Sequence, residues 1–373
     1  MKKIFISIPW FLPAYRAGGP VQSIANLVSQ DELGCHFYIF CGDTDLNGES
    51  LDGIRINEWI DHNKNTRVYY AGAVGRREVL KHEIEKIRPD VIFVIGLFSR
   101  DFNIAPVLLK QFDKTIISVR GMLHPGALSQ KPVKKKVFLT WFKLMGFPAK
   151  FRFHATDESE AGYIRQVLGS RASVLVAGNF PRLFSPGRPG QKKAGALRLM
   201  CLALISPMKN HLLVLEALAG STAEIEFHIA GAVKDPGYWQ TCQDQIKQLP
   251  ANIHVTIHGE LSPDKVRDWL VTGDVFVTPS KSENFGHALI EAMSAGLPAI
   301  TSHFTPWNGL KECKAGFNVE LTSSSIREAV NFFAAMDEPH MNEWRQSASA
   351  FAHSAVDRSG LQEQYNRLFA NQS

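Results

Sequence analysis

Apolar blocks and polar breaks alternate along this chain with two different periods. Short runs of apolar, β-branched and aromatic residues read as buried strands at 3–8, 36–41, 68–70, 90–96, 115–119, 151–156 and 173–177. Further runs of the same kind lie at 197–204, 224–230, 253–259, 275–279 and 298–301. Between the runs, apolar residues recur at helical spacing, as in Val21, Ile24, Ala25, Leu27 and Val28, in 78–87, in 212–219 and through 337–369. Strands alternating with helices predict an α/β chain built on doubly wound parallel sheets. The pattern breaks once, between Gly178 and Gly195, where Pro181, Pro186, Gly187 and Pro189 crowd together before Lys192-Lys193. That stretch reads as a linker. The expected domains are residues 1–180 and 196–354, with a last helix from about 355 to 373.

One strand–loop–helix–strand unit carries the most chemistry. It runs from Ser280-Lys281-Ser282-Glu283-Asn284-Phe285-Gly286 through Glu291 to Gly296-Leu297-Pro298. Leu289, Ile290, Met293 and Leu297 give it helical spacing, and Gly296-Leu297-Pro298 stops the helix. Ligands of parallel sheets bind at the carboxyl ends of strands, beside helix N-termini. The Glu283–Gly286 loop sits at such a place, with backbone N–H groups for an anion and a glycine that allows close approach. Glu291 follows Glu283 by eight residues, two helical turns if Glu283 begins the helix. Two carboxylates on one side suit a polyhydroxyl ligand. Taken alone, the pair reads first as a helix-start acid and a solvated helix residue. Gly18-Gly19 lies between the first strand and the first helix, which is again phosphate-site geometry or a plain turn. No G-x-G-x-x-G occurs, which argues against a nicotinamide dehydrogenase. Residues 43–48 (Asp-Thr-Asp-Leu-Asn-Gly) begin like a calcium loop, but Ile54 stands where its twelfth ligand is required, so a polar turn is expected.

Length and composition narrow the class. With 373 residues, 45% hydrophobic and 21% charged, the chain is long enough for two sizeable cores. No apolar run reaches the length of a membrane span. Met1-Lys2-Lys3 followed by Ile4–Leu12 has the charge of a weak signal peptide. Pro9 and the lack of a small-x-small site favour a first buried strand instead. Five scattered cysteines without C-x-x-C spacing suggest neither disulfides nor zinc, and a cytoplasmic location is expected. The net charge of +5 is uneven: residues 1–185 hold 25 Lys+Arg against 17 Asp+Glu, and the remainder 16 against 19. A basic helix over Lys131–Met145, with Val137, Phe138, Trp141 and Leu144 expected on one face, reads as core-packed or as interfacial. An anionic membrane surface is a natural partner for the basic half, and no nucleic acid is expected.

The 280–298 stretch resembles the Glu-x7-Glu signature of retaining glycosyltransferases of family 4, close to S-E-N-F-G-x-x-x-x-E-A-x-x-x-G-x-P. The resemblance is weaker at 16–20 and 205–211 and loose elsewhere. It implies the GT-B fold: two Rossmann-like doubly wound parallel-sheet domains facing across a cleft. Residues 1–180 would bind the acceptor, 196–354 the nucleotide-sugar donor, and the last helix would cross back to the first domain. The implied reaction moves a sugar from a UDP- or GDP-sugar to a glycan or lipid-linked acceptor in surface polysaccharide synthesis, with no metal or other cofactor. The implied setting is the inner face of the cytoplasmic membrane, where the protein would be peripheral.

Site residues follow from the same resemblance. Gly18 and Gly19 would touch the donor diphosphate, and Arg16, Arg120 and His124 the acceptor, with Arg120 and His124 also catalytic. Lys209 matches the family's diphosphate lysine, but Leu204 stands where the family has an Arg. Either Lys281, His211 or Arg16 would replace that charge, or donor affinity would be low. Glu260 and Leu261 would lie at the nucleobase, and Glu283, Asn284, Phe285 and Gly286 at the sugar and diphosphate. Glu291 would hold the ribose hydroxyls. Two other readings stay open: a GT-B epimerase or phosphorylase, and a non-catalytic sugar-nucleotide-binding protein, the latter motivated by Leu204.

Overall fold

The computed structural model describes residues 1–46, 48–129, 131–187 and 190–370. Asn47 of the 43–48 turn and Pro189 of the linker therefore lie outside the described residues. The chain forms two compact units, one of residues 1–180 with 357–373 and the other of residues 181–356.

The first unit is built on an eight-stranded sheet. Its strands are β1 (Lys2–Ser7), β2 (Cys35–Gly42), β3 (Trp59–Asn63), β4 (Thr66–Ala71), β5 (Val91–Ile95), β6 (Thr115–Ser118), β7 (Arg152–Ala155) and β8 (Ser173–Val176). Their order is β3-β4-β2-β1-β5-β6-β7-β8. All pairs are parallel except β3 with β4. Alternation along each strand divides the core. Ile4, Ile6, Phe37, Ile39 and Phe93 pack with α1 (Gly19–Val28) and with the C-terminal helix Arg358–Leu368. Phe5, Phe40, Ile92 and Val94 face the other way, against α2 (Arg76–Ile87). Each such fully buried side chain contributes about 1.5–3 kcal/mol.

The second unit has six parallel strands: β9 (Ala196–Leu202), β10 (Glu224–Ala230), β11 (Ile253–Gly259), β12 (Val275–Thr278), β13 (Ala299–Ser302) and β14 (Gly316–Val319). Their order, β11-β10-β9-β12-β13-β14, reverses direction between β9 and β12. That reversal is the switch point at which open α/β sheets bind ligands. The helix after β9 (His211–Leu218) shares one hydrophobic cluster with Leu199 and Cys201, whereas the helix after β12 (His287–Ser294) shares another with Met200.

The structure adds two strands, corrects two sequence expectations, and divides the helical stretch 337–369 close to the expected start of the last helix. β3 and β14 have no apolar run to announce them: β3 is mostly exposed, and β14 contains Gly316 and Asn318. The helix after Gly286 begins at His287, so Glu283 lies in the loop before it and not at its first turn. The stretch 337–369 is two helices, Glu338–Ser354 and Arg358–Leu368, the second capped by the Asp357 carboxylate. The basic helix, Pro132–Leu144, divides its apolar residues between two faces. Phe142 is buried and Phe138 and Trp141 are half-buried, whereas Val137 and Leu144 are exposed.

Gly316 shows how tightly the second sheet is closed. Its φ is 147°, and a Cβ there would stand 1.9 Å from the backbone oxygen of Ala299. Gly316→Ala is expected to cost roughly 3 kcal/mol, because neither backbone can yield without breaking ladder bonds. A thermal melt with no measurable drop would refute this.

Candidate active site

In the second unit, three loops are tied together at the carboxyl edge of the sheet beside the switch point. The Lys281 N–H donates to Met208 O at 2.9 Å, joining the loop after β12 to the loop after β9. The Glu283 N–H donates to Phe304 O at 2.9 Å, joining it to the loop after β13. Trp307 Nε1 donates to Phe285 O at 2.5 Å and packs edge-on against the Phe285 ring at 5.3 Å. These bonds fix the backbone on which the chemistry hangs. Lys209 Nζ forms an ion pair with Glu283 Oε2, with both side chains about one-fifth exposed (22% and 21%). Gly286 caps the following helix with φ 75° and ψ 56°, a left-handed conformation that favours glycine. The Leu289 and Ile290 N–H groups of that helix donate to Gly286 O at 3.0 and 3.1 Å, and the positive end of its dipole faces the loop. Asn284 is exposed in the same loop, and Phe285 lies over His287 at 4.6 Å.

Glu291 lies apart from that pair. It sits on the buried face of the helix His287–Ser294, 4% exposed, with Arg182 Nε 3.3 Å from its Oε1. Burial pushes its carboxyl up to about 7, although Arg182 opposes the shift. Arg182 belongs to the stretch that reads in the sequence only as a Pro/Gly linker, and nothing in that composition marks it. Glu260 and Leu261, after β11, are half-buried, and Leu261 packs on the cluster that contains Leu289 and Ile290.

His211 does not supply the charge missing at Leu204. It is wholly buried, both ring nitrogens lack a partner among the described residues, and burial with Lys209 nearby lowers its pKa to about 4. It is neutral at pH 7. Arg16 lies in the other unit, paired with Glu49 at 2.5 Å. Lys281 is exposed on the loop tied to Met208, next to Lys209.

In the first unit, Gly18 caps α1 with φ 71° and ψ −131°, which only glycine adopts readily. Arg120, at φ 53°, follows β6 and donates to Asn179 Oδ1 at 2.6 Å. The Gly121 N–H donates to Glu160, whose other oxygen receives the Thr156 N–H at 2.7 Å. His124 caps the short helix Pro125–Leu128, with Nδ1 accepting the Gly126 N–H at 3.1 Å. That bond leaves the proton of the neutral ring on Nε2. Asp43 pairs with Arg76 of α2 at 3.2 Å, and Asp45 accepts the Leu46 N–H at 2.6 Å, so the first ties the turn to the helix and the second serves the turn itself.

The raised carboxyl of Glu291 sets a pH dependence. Its folded-state value, about 7 against an ordinary 4.5, makes the neutral form the favoured one when folded. Stability from this group is full below pH 4.5 and is lost as pH rises through 7, roughly 3 kcal/mol in all. Glu291→Gln, free of that ionisation, is expected to melt above the wild type at pH 8, with the gap closing at pH 5. A gap independent of pH would refute it.

Comparison with known proteins adds what the chain is similar to. Residues 188–351 match the family described as glycosyl transferases group 1. The sulfoquinovosyl transferase SQD2 of Arabidopsis thaliana is 25% identical over 126 residues, covering 29% of this chain and 24% of that relative's length. Sucrose-phosphate synthase from Thermosynechococcus elongatus has a similar structure, with TM-score 0.69 and 16% identity over 99% of this chain and 98% of that one. HepE of Anabaena, solved with UDP and glucose, gives TM-score 0.68 at 15% identity, covering 99% of each chain. WaaG, a glycosyltransferase involved in lipopolysaccharide biosynthesis, gives 0.63 at 13%, covering 99% and 100%. Residues 188–351 thus match the family of glycosyl transferases group 1, and the chain as a whole has the GT-B fold.

Proposed function

We propose that this chain moves a sugar, with retention at the anomeric carbon, from a UDP- or GDP-sugar to a glycan or lipid-linked acceptor in surface polysaccharide synthesis. The observation that carries the reading is the Lys209–Glu283 pair held at the switch point of the second unit. The donor diphosphate lies against Lys209, Lys281 and the first turn of the helix His287–Ser294. Glu283 turns to the sugar hydroxyls once the diphosphate has taken Lys209, and Glu291 accepts the ribose hydroxyls. As the anomeric C–O bond breaks, negative charge grows on the leaving diphosphate, and fixed cations and N–H groups stabilise it without a metal. A diphosphate oxygen accepts the acceptor's proton on the same face. In the first unit, Arg120, Arg16 and the Nε2–H of His124 serve the acceptor beside Gly18-Gly19. The neighbours point the same way, since HepE was solved with UDP and glucose.

Lys209→Ala is expected to lower kcat/KM by about 10²–10³, the cost of removing one charge-stabilising donor. Glu283→Ala should depress transfer while leaving the affinity for free UDP or GDP intact, and EDTA should leave the rate unchanged. The experiment is a panel of nucleotide sugars screened by thermal shift and then assayed for transfer and donor hydrolysis. Binding without either reaction would favour the non-catalytic reading raised by Leu204.

We further propose that the protein docks peripherally on an anionic membrane surface. Val133, Val137 and Leu144 are 73%, 66% and 82% exposed. At 100° per residue they form one stripe, with Lys134 on one flank and Lys136 and Lys143 on the other. Lys135 is excluded: it donates to Ala127 O and lies over the Phe98 ring at 5.4 Å. Each exposed Lys contributes on the order of 1 kcal/mol at an anionic surface. Co-sedimentation with anionic vesicles should fall with salt and vanish on changing Lys131, Lys134, Lys136 and Lys143 to Ser. Binding indifferent to both would remove the membrane.

A further inference from the structure

Arg182 makes three contacts with one guanidinium. Nη1 donates to Pro263 O at 3.1 Å, Nε lies 3.3 Å from Glu291 Oε1, and the group stacks over Phe184 at 4.6 Å. Pro263 belongs to the loop after β11 that holds Glu260 and Leu261, and Glu291 to the helix after β12. One side chain therefore joins segments that follow strands on opposite sides of the switch point.

We propose that Arg182 is a positioning residue of the donor site, which holds the Glu291 carboxylate as an oriented anion and ties it to the Glu260–Pro263 loop. The inference rests on the reading of Glu291 as the acceptor of the ribose hydroxyls. A vicinal diol offers two O–H donors, and only an ionised carboxylate presents acceptors to both. A carboxyl so buried favours its neutral form, and the cation beside it opposes that preference. Arg182 approaches Oε1 as an ion pair, and neither its Nε nor that oxygen has a hydrogen-bond partner among the described residues, so Oε1 keeps its acceptor capacity. Charged groups on the helices packed against this one are engaged elsewhere. Arg345 binds Asp274 and Glu338, and Arg267 lies with Asp268 and Ser185 O. The strands β12 and β13 bring no ionisable side chain. The stack on Phe184 and the bond to Pro263 hold the guanidinium in place before any ligand arrives, so it does not have to be ordered on binding.

The test is calorimetric binding of UDP, GDP and their 2′-deoxy forms to the whole protein between pH 6 and 9, with thermal melts to establish folding. The wild type is expected to prefer the ribo form. Arg182→Gln should weaken the preferred nucleoside diphosphate about tenfold at pH 7, the size of one charge-assisted contact, and regain most of that at pH 9, where the carboxyl ionises unaided. Arg182→Lys, which keeps the charge but loses the stack and the fork, should bind between the wild type and Arg182→Gln at pH 7. A loss in Arg182→Gln that is equal at pH 7 and pH 9, or no loss at all, overturns the proposal. A large pH-independent loss in Arg182→Lys overturns it too. The ribose reading stands or falls separately: if Glu291→Gln keeps the wild-type ratio of ribo to 2′-deoxy affinity, that reading is wrong whatever Arg182 does.

Discussion

The chemistry of the second unit depends on one constraint of parallel sheets. β9 and β12 are neighbours in the sheet, yet the helices that follow them join different hydrophobic clusters. The two loops must therefore part at the carboxyl edge, and the space between them cannot be closed by either helix. Lys209 comes from one loop and Glu283 from the other. The bonds from Lys281 to Met208 and from Glu283 to Phe304 keep these loops from fraying into solvent, so the ion pair inherits the rigidity of the strands. A solvent-accessible pair at the sheet edge adds little to stability, about 1 kcal/mol, which is consistent with its exchanging partners when a ligand arrives.

Glu291 presents the opposite balance. A carboxylate buried on an otherwise apolar helix face costs folding free energy, and a single 3.3 Å contact with Arg182 does not cancel the cost. Leu289, Ile290 and Met293 on the same helix are buried with no such penalty. A glutamine there would fill the space at less expense above neutral pH. The retained acid makes sense as a group kept for a ligand, with local stability given up to keep it. His211 shows how different a buried polar group can be: neutral, without ring partners, and part of the packing under the Lys209 loop.

In the first unit, the side chains assigned to the acceptor also hold the fold. Arg120 is bonded to Asn179, His124 caps a helix, and Arg16 is paired with Glu49. A substitution at any of them changes local structure as well as any acceptor contact. His124 retains an Nε2–H donor after capping, and Arg120 retains Nε and Nη2, which have no hydrogen-bond partner among the described residues.

The amino-acid sequence by itself determined the alternation of strands and helices, because buried parallel strands are continuous apolar runs and the helices between them keep a 3.6-residue period. It also marked the Glu283–Gly286 loop and Lys209 as a candidate place for an anion, since glycine at a strand–helix junction and a lone Lys before a helix are local signals. It did not yield β3 or β14, whose residues are too polar or too small to form an apolar run. It did not divide the faces of the helix Pro132–Leu144, because periodicity alone does not say which side meets a neighbour. Only the tertiary structure decided that Glu283 precedes its helix, that His211 is neutral, and that Arg182 reaches both Glu291 and Pro263. Those facts depend on contacts between residues far apart in the chain, 109 positions in the case of Arg182 and Glu291. No local pattern encodes such a contact; it exists only once the sheet has brought the segments together.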